Sequence, residues 1–358
     1  MIPLGLRLTH DNQTHMSFEI ILPFLRPIEA LLADDDITEI MCNPDSSCWI
    51  EKDGRISRAV AVCFGPGELQ VGLEVIANKF GKHLDADHPL LNARLPDGSR
   101  LAAMVSPVVG PEPLLNIRKF PRRNFTLSDL VERNTLMRAI ADRLRNAVDA
   151  KENVLISGPT GSGKTTLLNT LAAEIPDEER IFVIEDTTEI RISKPHVISA
   201  ECQANTHRQE VTYDQLLKAA LRHRPDRIIL GEVRGTEART LLDAMNTGHR
   251  GMLTTIHANN AEGALSRLAS LALRGLPQLH LADVEREVRD AVGLIAHMDR
   301  RDGRRLVVEL LDRSVKPTSE ACVGMVANSP RVFQELLPGT NAKLLTCFPG
   351  SRPTQSPS

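Results

Sequence analysis

From residue 150 onward, short uninterrupted apolar runs alternate with stretches of helical periodicity. NVLIS (153–157), IFVIED (181–186), RIILGE (227–232) and MLTTIHA (252–258) are too short for helices and show no polar alternation. Such runs fit strands buried on both faces, as in a parallel sheet covered by helices. VGLIAHMD (292–299), the turn RRDGRR and LVVELL (306–311) predict a closing hairpin. Residues 18–120 read differently, as a small α+β domain. DITEIMCN, CWIEK and RISRAVAV predict short strands, 66–81 a helix ending on Gly81, and ARL, RLAAMVSP and LLNIRKF further strands with a turn at Pro96-Asp97-Gly98. The pattern divides the chain into a flexible lead-in (1–17), the α+β domain (18–120), a linker and connecting helix (121–149) and the α/β domain (150–312). An irregular, compositionally disordered tail (313–358) completes it. The connecting helix is expected to start near Thr126, with Asp129 as the partner of a capping box.

Composition narrows the function. The chain has 358 residues, 42% hydrophobic and 25% charged, ordinary for a globular protein of about two domains. Aromatics make up only 3% and the net charge is −3, so neither a base-stacking platform nor a basic field for nucleic acid is expected. Six scattered cysteines form no C-x-x-C pair and predict neither a zinc ribbon nor an oxidising compartment. Neither a signal peptide nor a transmembrane segment is read from the chain. The longest weakly charged stretch, 101–117, is broken by three prolines and Glu112. The expected location is therefore the cytoplasm.

Candidate chemistry sits where the apolar runs end. GPTGSGKTT (158–166) fits the phosphate-loop pattern G-x-x-x-x-G-K-[ST], between a buried strand and a helix-compatible stretch. Gly158, Gly161 and Gly163, with Pro159, Thr160 and Ser162, form a turn whose amides can face phosphate oxygens at a helix N-terminus. Lys164 can reach the terminal phosphates, and Thr165, followed by Thr166, can offer a hydroxyl directly to Mg²⁺. The cofactors implied are ATP and Mg²⁺. Glu185 and Asp186 end the second strand, with Glu189 beyond. Glu232 ends the third and His257 the fourth. Either glutamate can act as general base or hold Mg²⁺ through water. Each also has a plain reading: a solvated strand exit for Glu185, a helix cap for Glu232, a structural histidine for His257. Gly231 stands where an Mg²⁺-binding Asp usually precedes such a glutamate. His249, on the approach to the fourth strand, is a weaker candidate. The clusters Arg118, Lys119, Arg122, Arg123 and Arg300, Arg301, Arg304, Arg305 read first as solvated faces, and second as docking sites for acidic lipid or an acidic partner loop.

With these residues in hand, the chain resembles the bacterial type II/type IV secretion ATPases, most of all their conjugal-transfer and tight-adherence pilus branch. The matching segments are EIMCNPD (39–45), LPDGSRL (95–101), NIRKF (116–120), GPTGSGKTTLLN (158–169), IEDTTEI (184–190), RPDRIILGEVRG (224–235) and AMNTGHRGMLTTIHANN (244–260). The resemblance implies a RecA-like P-loop ATPase core preceded by the small α+β domain. It implies a homo-hexameric motor acting with secretion or pilus platform proteins at the cytoplasmic face of the inner membrane. It also implies an acidic box at Glu185–Asp186, a Walker B glutamate at Glu232 and a histidine box ending at His257. Arg118 matches an N-domain arginine sent to the nucleotide, and Gly231 is in pattern. One stretch departs: Ser199 and Gln203 stand where relatives carry arginines for a neighbouring subunit's nucleotide, with Arg191 and Arg208 as the available substitutes. Two other functions share the core: a nucleic-acid-stimulated ring motor, and a nucleotide-gated scaffold with little turnover.

Overall fold

The computed structural model describes residues 21–52, 54–60, 62, 64–120, 124–203, 210–274, 278–313, 332–336 and 343–347. The chain separates into two compact units, Met1–Arg123 and Asn124–Ser358.

In the first unit a 3₁₀ segment, Leu22–Ile28, runs into helix α1 (Glu29–Ala33). Six strands follow: β1 (Ile37–Cys42), β2 (Cys48–Lys52), β3 (Arg55–Arg58), β4 (Leu90–Arg94), β5 (Arg100–Met104) and β6 (Leu114–Arg118), with helix α2 (Glu68–Lys79) between β3 and β4. They form one antiparallel sheet in the order β3-β2-β1-β6-β5-β4. Alternate residues (Ile40, Cys42, Leu91, Leu101, Ala103, Leu115, Ile117) face a core closed by Leu69, Leu73 and Ile76 of α2. The period of two that marks a half-buried strand is thus met.

The second unit begins with α3 (Leu127–Glu132) and α4 (Arg138–Asp149). Thr126 and Asp129 form the expected reciprocal capping box. These helices are more than a connector: Leu127, Leu130, Ile140, Leu144 and Val148 are buried in the same core as the sheet. The remaining elements are β7 (Val154–Ser157), α5 (Lys164–Ala173), β8 (Ile181–Glu185), β9 (Val197–Glu201), α6 (Tyr213–Ala220), β10 (Arg227–Val233), α7 (Glu237–Asn246), β11 (Leu253–Ile256), α8 (Ala261–Leu273), α9 (Leu281–Ala291), β12 (Leu294–Arg301) and β13 (Arg304–Asp312). Strands β14 (Val332–Leu336) and β15 (Lys343–Cys347) follow. The sheet order is β14-β15-β13-β12-β7-β11-β10-β8-β9. From β12 to β9 every pairing is parallel, whereas β12 and β13 make the antiparallel hairpin that the pattern predicts. Residues along β7 alternate between two cores: Val154 and Ile156 pack with α3, α4 and α5, and Leu155 with α6 to α9. This three-layer arrangement explains the uninterrupted apolar runs.

One expectation is corrected: the tail is not irregular throughout, because β14 and β15 extend the sheet from β13. The segment VISAE forms strand β9, the sheet's edge beside β8. No helix among the described residues is long and apolar enough to cross a membrane.

Candidate functional site

Strand register gathers the predicted residues on one edge. Ser157, which ends β7, pairs with Ile256, which ends β11; Ile256 pairs in turn with Val233 of β10, and Leu230 of β10 with Ile184 of β8. The phosphate loop, His257, Glu232 and Glu185 therefore all emerge at the carboxyl ends of adjacent parallel strands, the edge where α/β folds bind ligands. His249 precedes β11 and lies toward the amino-terminal edge, so the structure separates it from this group.

The loop conformation requires its glycines. Gly158, Gly161 and Gly163 have φ of +149°, +74° and +97°. A Cβ on Gly158 would sit 2.2 Å from the Met298 carbonyl oxygen and 2.7 Å from Ser162 Oγ. Gly163 caps α5 without any side-chain hydrogen bond, so the first-turn amides are left for another acceptor. The Ser162 hydroxyl is buried with no hydrogen-bond partner. Lys164 is 8% exposed, and its Nζ donates to the carbonyls of Gly158 (3.0 Å) and Pro159 (2.9 Å). Thr165 and Thr166 are half-buried on the first turn of α5. Open amides, an orphaned hydroxyl and an ammonium folded against its own loop fit a bound polyphosphate. Among the described residues no group of three His, Cys, Asp or Glu side chains could hold a metal alone. The residues fit a cation that arrives with phosphates and takes one hydroxyl from Thr165.

The acids differ in environment. Glu185 is 3% exposed, and its Oε1 accepts from the amides of Glu189 (2.7 Å) and Ile190 (2.9 Å). Burial nevertheless wins: desolvation, seconded by Glu189 and Glu201, raises its pKa from 4.5 to about 7 against the pull of those two amides. Glu232 Oε2 accepts from Arg234 Nη2 at 2.8 Å, and its Oε1 lies 3.0 Å from His257 Nε2. That second approach is close but not aligned as a hydrogen bond, and it leaves Oε1 without a hydrogen-bond donor. Burial and the positive charge of Lys164 hold His257 below its ordinary pKa, outweighing Glu232, so the ring is neutral near pH 7. At Gly231 a Cβ would lie 3.2 Å from Glu185 Cγ, a tight contact. An aspartate at 231 would crowd Glu185 and set a second carboxylate beside it.

Two residues of this site escaped the sequence reading. Arg234 bridges Glu232 and, at 3.4 Å, Asp186 Oδ2. Glu237 fixes its backbone by accepting from the amides of Arg234 (2.6 Å) and Gly235 (2.7 Å). Arg305, grouped by sequence with a solvated cluster, instead donates from Nε to the Gly161 carbonyl at 3.1 Å. An arginine two residues after Glu232 was the available signal for the first. Only the β12–β13 pairing reveals the second.

The remaining candidates lie on other elements. Ser199 and Gln203 are exposed, on and just beyond edge strand β9, and Arg191 donates its backbone amide to Asn169 Oδ1 of α5 at 3.2 Å. Arg208, Arg122 and Arg123 fall outside the described residues. Arg118 ends β6 in the first unit, with Nε 3.9 Å from Glu39 Oε1.

Comparison with known proteins follows the same lines. Conjugal transfer protein TrbB of Rhizobium radiobacter is 37% identical over 285 residues, covering 78% of this chain and 84% of that protein. Type IV secretion system protein PtlH of Bordetella pertussis is 33% identical over 337 residues, covering 86% and 98%. The X-ray structure of the Legionella pneumophila ATPase DotB shares the fold, with a TM-score of 0.57 at 18% identity over 86% of this chain and 81% of that one. The family described as type II/IV secretion system protein matches residues 25–297. An N-terminal α+β unit followed by a RecA-like core, with this motif set on the core's carboxyl edge, is therefore no chance likeness: the chain belongs to the type II/IV secretion system protein family.

Proposed function

We propose that this protein is an ATP hydrolase, a homo-hexameric motor of a type IV secretion, conjugal-transfer or pilus-assembly machine. One observation carries the reading: the phosphate loop shares its sheet edge with a buried glutamate poised near neutrality and a second glutamate paired with arginine. The names of TrbB and PtlH support the secretion and conjugation setting. Work at the cytoplasmic face of the inner membrane with platform proteins follows from that setting.

In this reading Gly158 to Thr166 hold the ATP phosphates through backbone amides, and Lys164 gives up its two loop carbonyls to take a terminal phosphate. Thr165, with Glu232 and Glu185 through water, would hold Mg²⁺, which would supply neutralisation of the charge developing on the transferred phosphoryl group. Glu185 accepts the proton of the attacking water, because a carboxyl titrating near 7 is matched to that task at neutral pH. Glu232, fixed by Arg234, orients the water. Neutral His257 offers a ring N–H toward the terminal phosphate.

The test is phosphate release by purified protein with Mg²⁺ and ATP. Lys164→Ala should lower turnover by about a hundredfold or more, the scale of losing one preorganised charge contact. Parent-like turnover in that variant would overturn the site. The scaffold reading draws on the engagement of Glu232 by Arg234 and on Ser199 and Gln203. Sustained turnover in ring-forming conditions excludes it. Stimulation of turnover by single-stranded nucleic acid, steeply weakened by salt, would favour the nucleic-acid motor instead.

A further inference from the structure

We propose that Cys42 and Cys48 form a cross-strand thiol pair that small hydroperoxides oxidise to a disulfide. The two residues are register partners at the turn end of the β1–β2 hairpin. The next rung is hydrogen-bonded, with the Asn43 amide donating to the Ser47 carbonyl at 2.8 Å. The Cys48 carbonyl turns the other way, accepting from the Ala59 amide at 2.8 Å. Cys42 and Cys48 therefore occupy a non-hydrogen-bonded rung, where backbones come closest, about 4.5 Å between Cα atoms. That spacing lies inside the range a disulfide spans. Both side chains point to the same core face, both are 3% exposed, and the Cys42 thiol donates to the Cys48 sulfur at 3.7 Å. The two facing sulfurs are within reach of one another across this rung.

The pair is chemically unequal. The hydrogen bond from Cys42 favours the Cys48 thiolate and lowers its pKa, while the Cys42 thiol is pushed up by the same bond and by burial. Cys48 is thus the attacking sulfur. Its thiolate takes the distal oxygen of the hydroperoxide and the O–O bond breaks; the departing alkoxide, or hydroxide from hydrogen peroxide, takes up the proton that the Cys48 thiol gave up and leaves as alcohol or water. The Cys42 sulfur then attacks the sulfenic sulfur, the S–S bond forms as the S–O bond breaks, and the hydroxyl leaves as water with the Cys42 thiol proton. Two thiols lose two electrons and the peroxide gains them. The pair adjoins a turn whose residues Asp45 and Ser46, between the two cysteines in sequence, are exposed. Cys202, the other described free thiol, is half-buried, has its pKa raised to about 11, chiefly by burial, and is the internal control.

The experiment treats the full-length protein with hydrogen peroxide, blocks remaining thiols under denaturing conditions and maps tryptic peptides. No lysine or arginine lies between residues 42 and 48, so both cysteines stay in one peptide. The expected result is that this peptide loses about 2 Da, escapes alkylation and regains two alkylatable thiols after reduction. Cys42→Ser should abolish the bridge and leave Cys48 as a sulfenic acid that dimedone traps. Full alkylation of both thiols after treatment that already oxidises Cys202 would overturn the proposal. So would an unaltered bridge in Cys42→Ser, which would assign the bond to another cysteine.

Discussion

Replacing Glu185 by glutamine should abolish turnover and at the same time make the protein more stable at alkaline pH. The folded protein raises the Glu185 pKa from 4.5 to about 7. A raised acid pKa means that folding disfavours the carboxylate. The penalty is absent below pH 4.5, grows as pH climbs toward 7 and stays constant above it. At about 1.4 kcal/mol per pH unit of difference, it reaches about 3 kcal/mol at pH 8. Glu185 is almost fully buried, so solvent does not screen this away. Glutamine keeps a carbonyl oxygen for the amides of Glu189 and Ile190 and removes the charge. Thermal melts of parent and Glu185→Gln at pH 5 and pH 8 measure the effect. For a unit of this size about 3 kcal/mol corresponds to a gain of roughly 6–12 °C at pH 8, shrinking to a few degrees or less at pH 5. The parent's turnover should rise about tenfold between pH 6 and pH 8 as the base deprotonates. A variant less stable than the parent at pH 8, or a difference that does not shrink with acid, would refute the argument that burial governs this carboxyl.

Three further outcomes are expected. Gly158→Ala places a methyl 2.2 Å from the Met298 carbonyl oxygen, and calorimetric titration should show ATP affinity reduced at least about tenfold. Glu179→Gln leaves the fully buried Arg227 guanidinium without the carboxylate that accepts from it at 2.7 and 3.2 Å, and denaturant unfolding should show a loss of about 3 kcal/mol. Arg234→Gln frees one side of Glu232 and should cut turnover about tenfold, with Arg234→Lys restoring part of it and ATP affinity unchanged in both. Coincident loss of affinity would move Arg234 from orienting Glu232 to holding phosphate.

Much of this was legible in the chain itself. The loop GPTGSGKTT has one workable backbone path, because three glycines supply conformations closed to other residues. Fully apolar runs could only be strands covered on both faces, and a strand ending in a buried sheet hands its next residue to the ligand edge. Lys164, Glu185, Glu232 and His257 could therefore be placed at strand ends from local pattern, though pattern left each glutamate and the histidine a plain structural reading. Tertiary structure decided what depends on neighbours distant in sequence. Register set His257 beside Glu232 and exiled His249 to the opposite edge. The β12–β13 hairpin turned Arg305 from a surface charge into a partner of the phosphate loop. Glu185 lies close against Gly231, and burial gives Glu185 an environment different from that of Glu232. The division has a physical cause. Backbone conformation and periodicity are properties of a few adjacent residues and are written locally. Desolvation and charge pairing are sums over everything packed nearby, and exist only once the chain has folded.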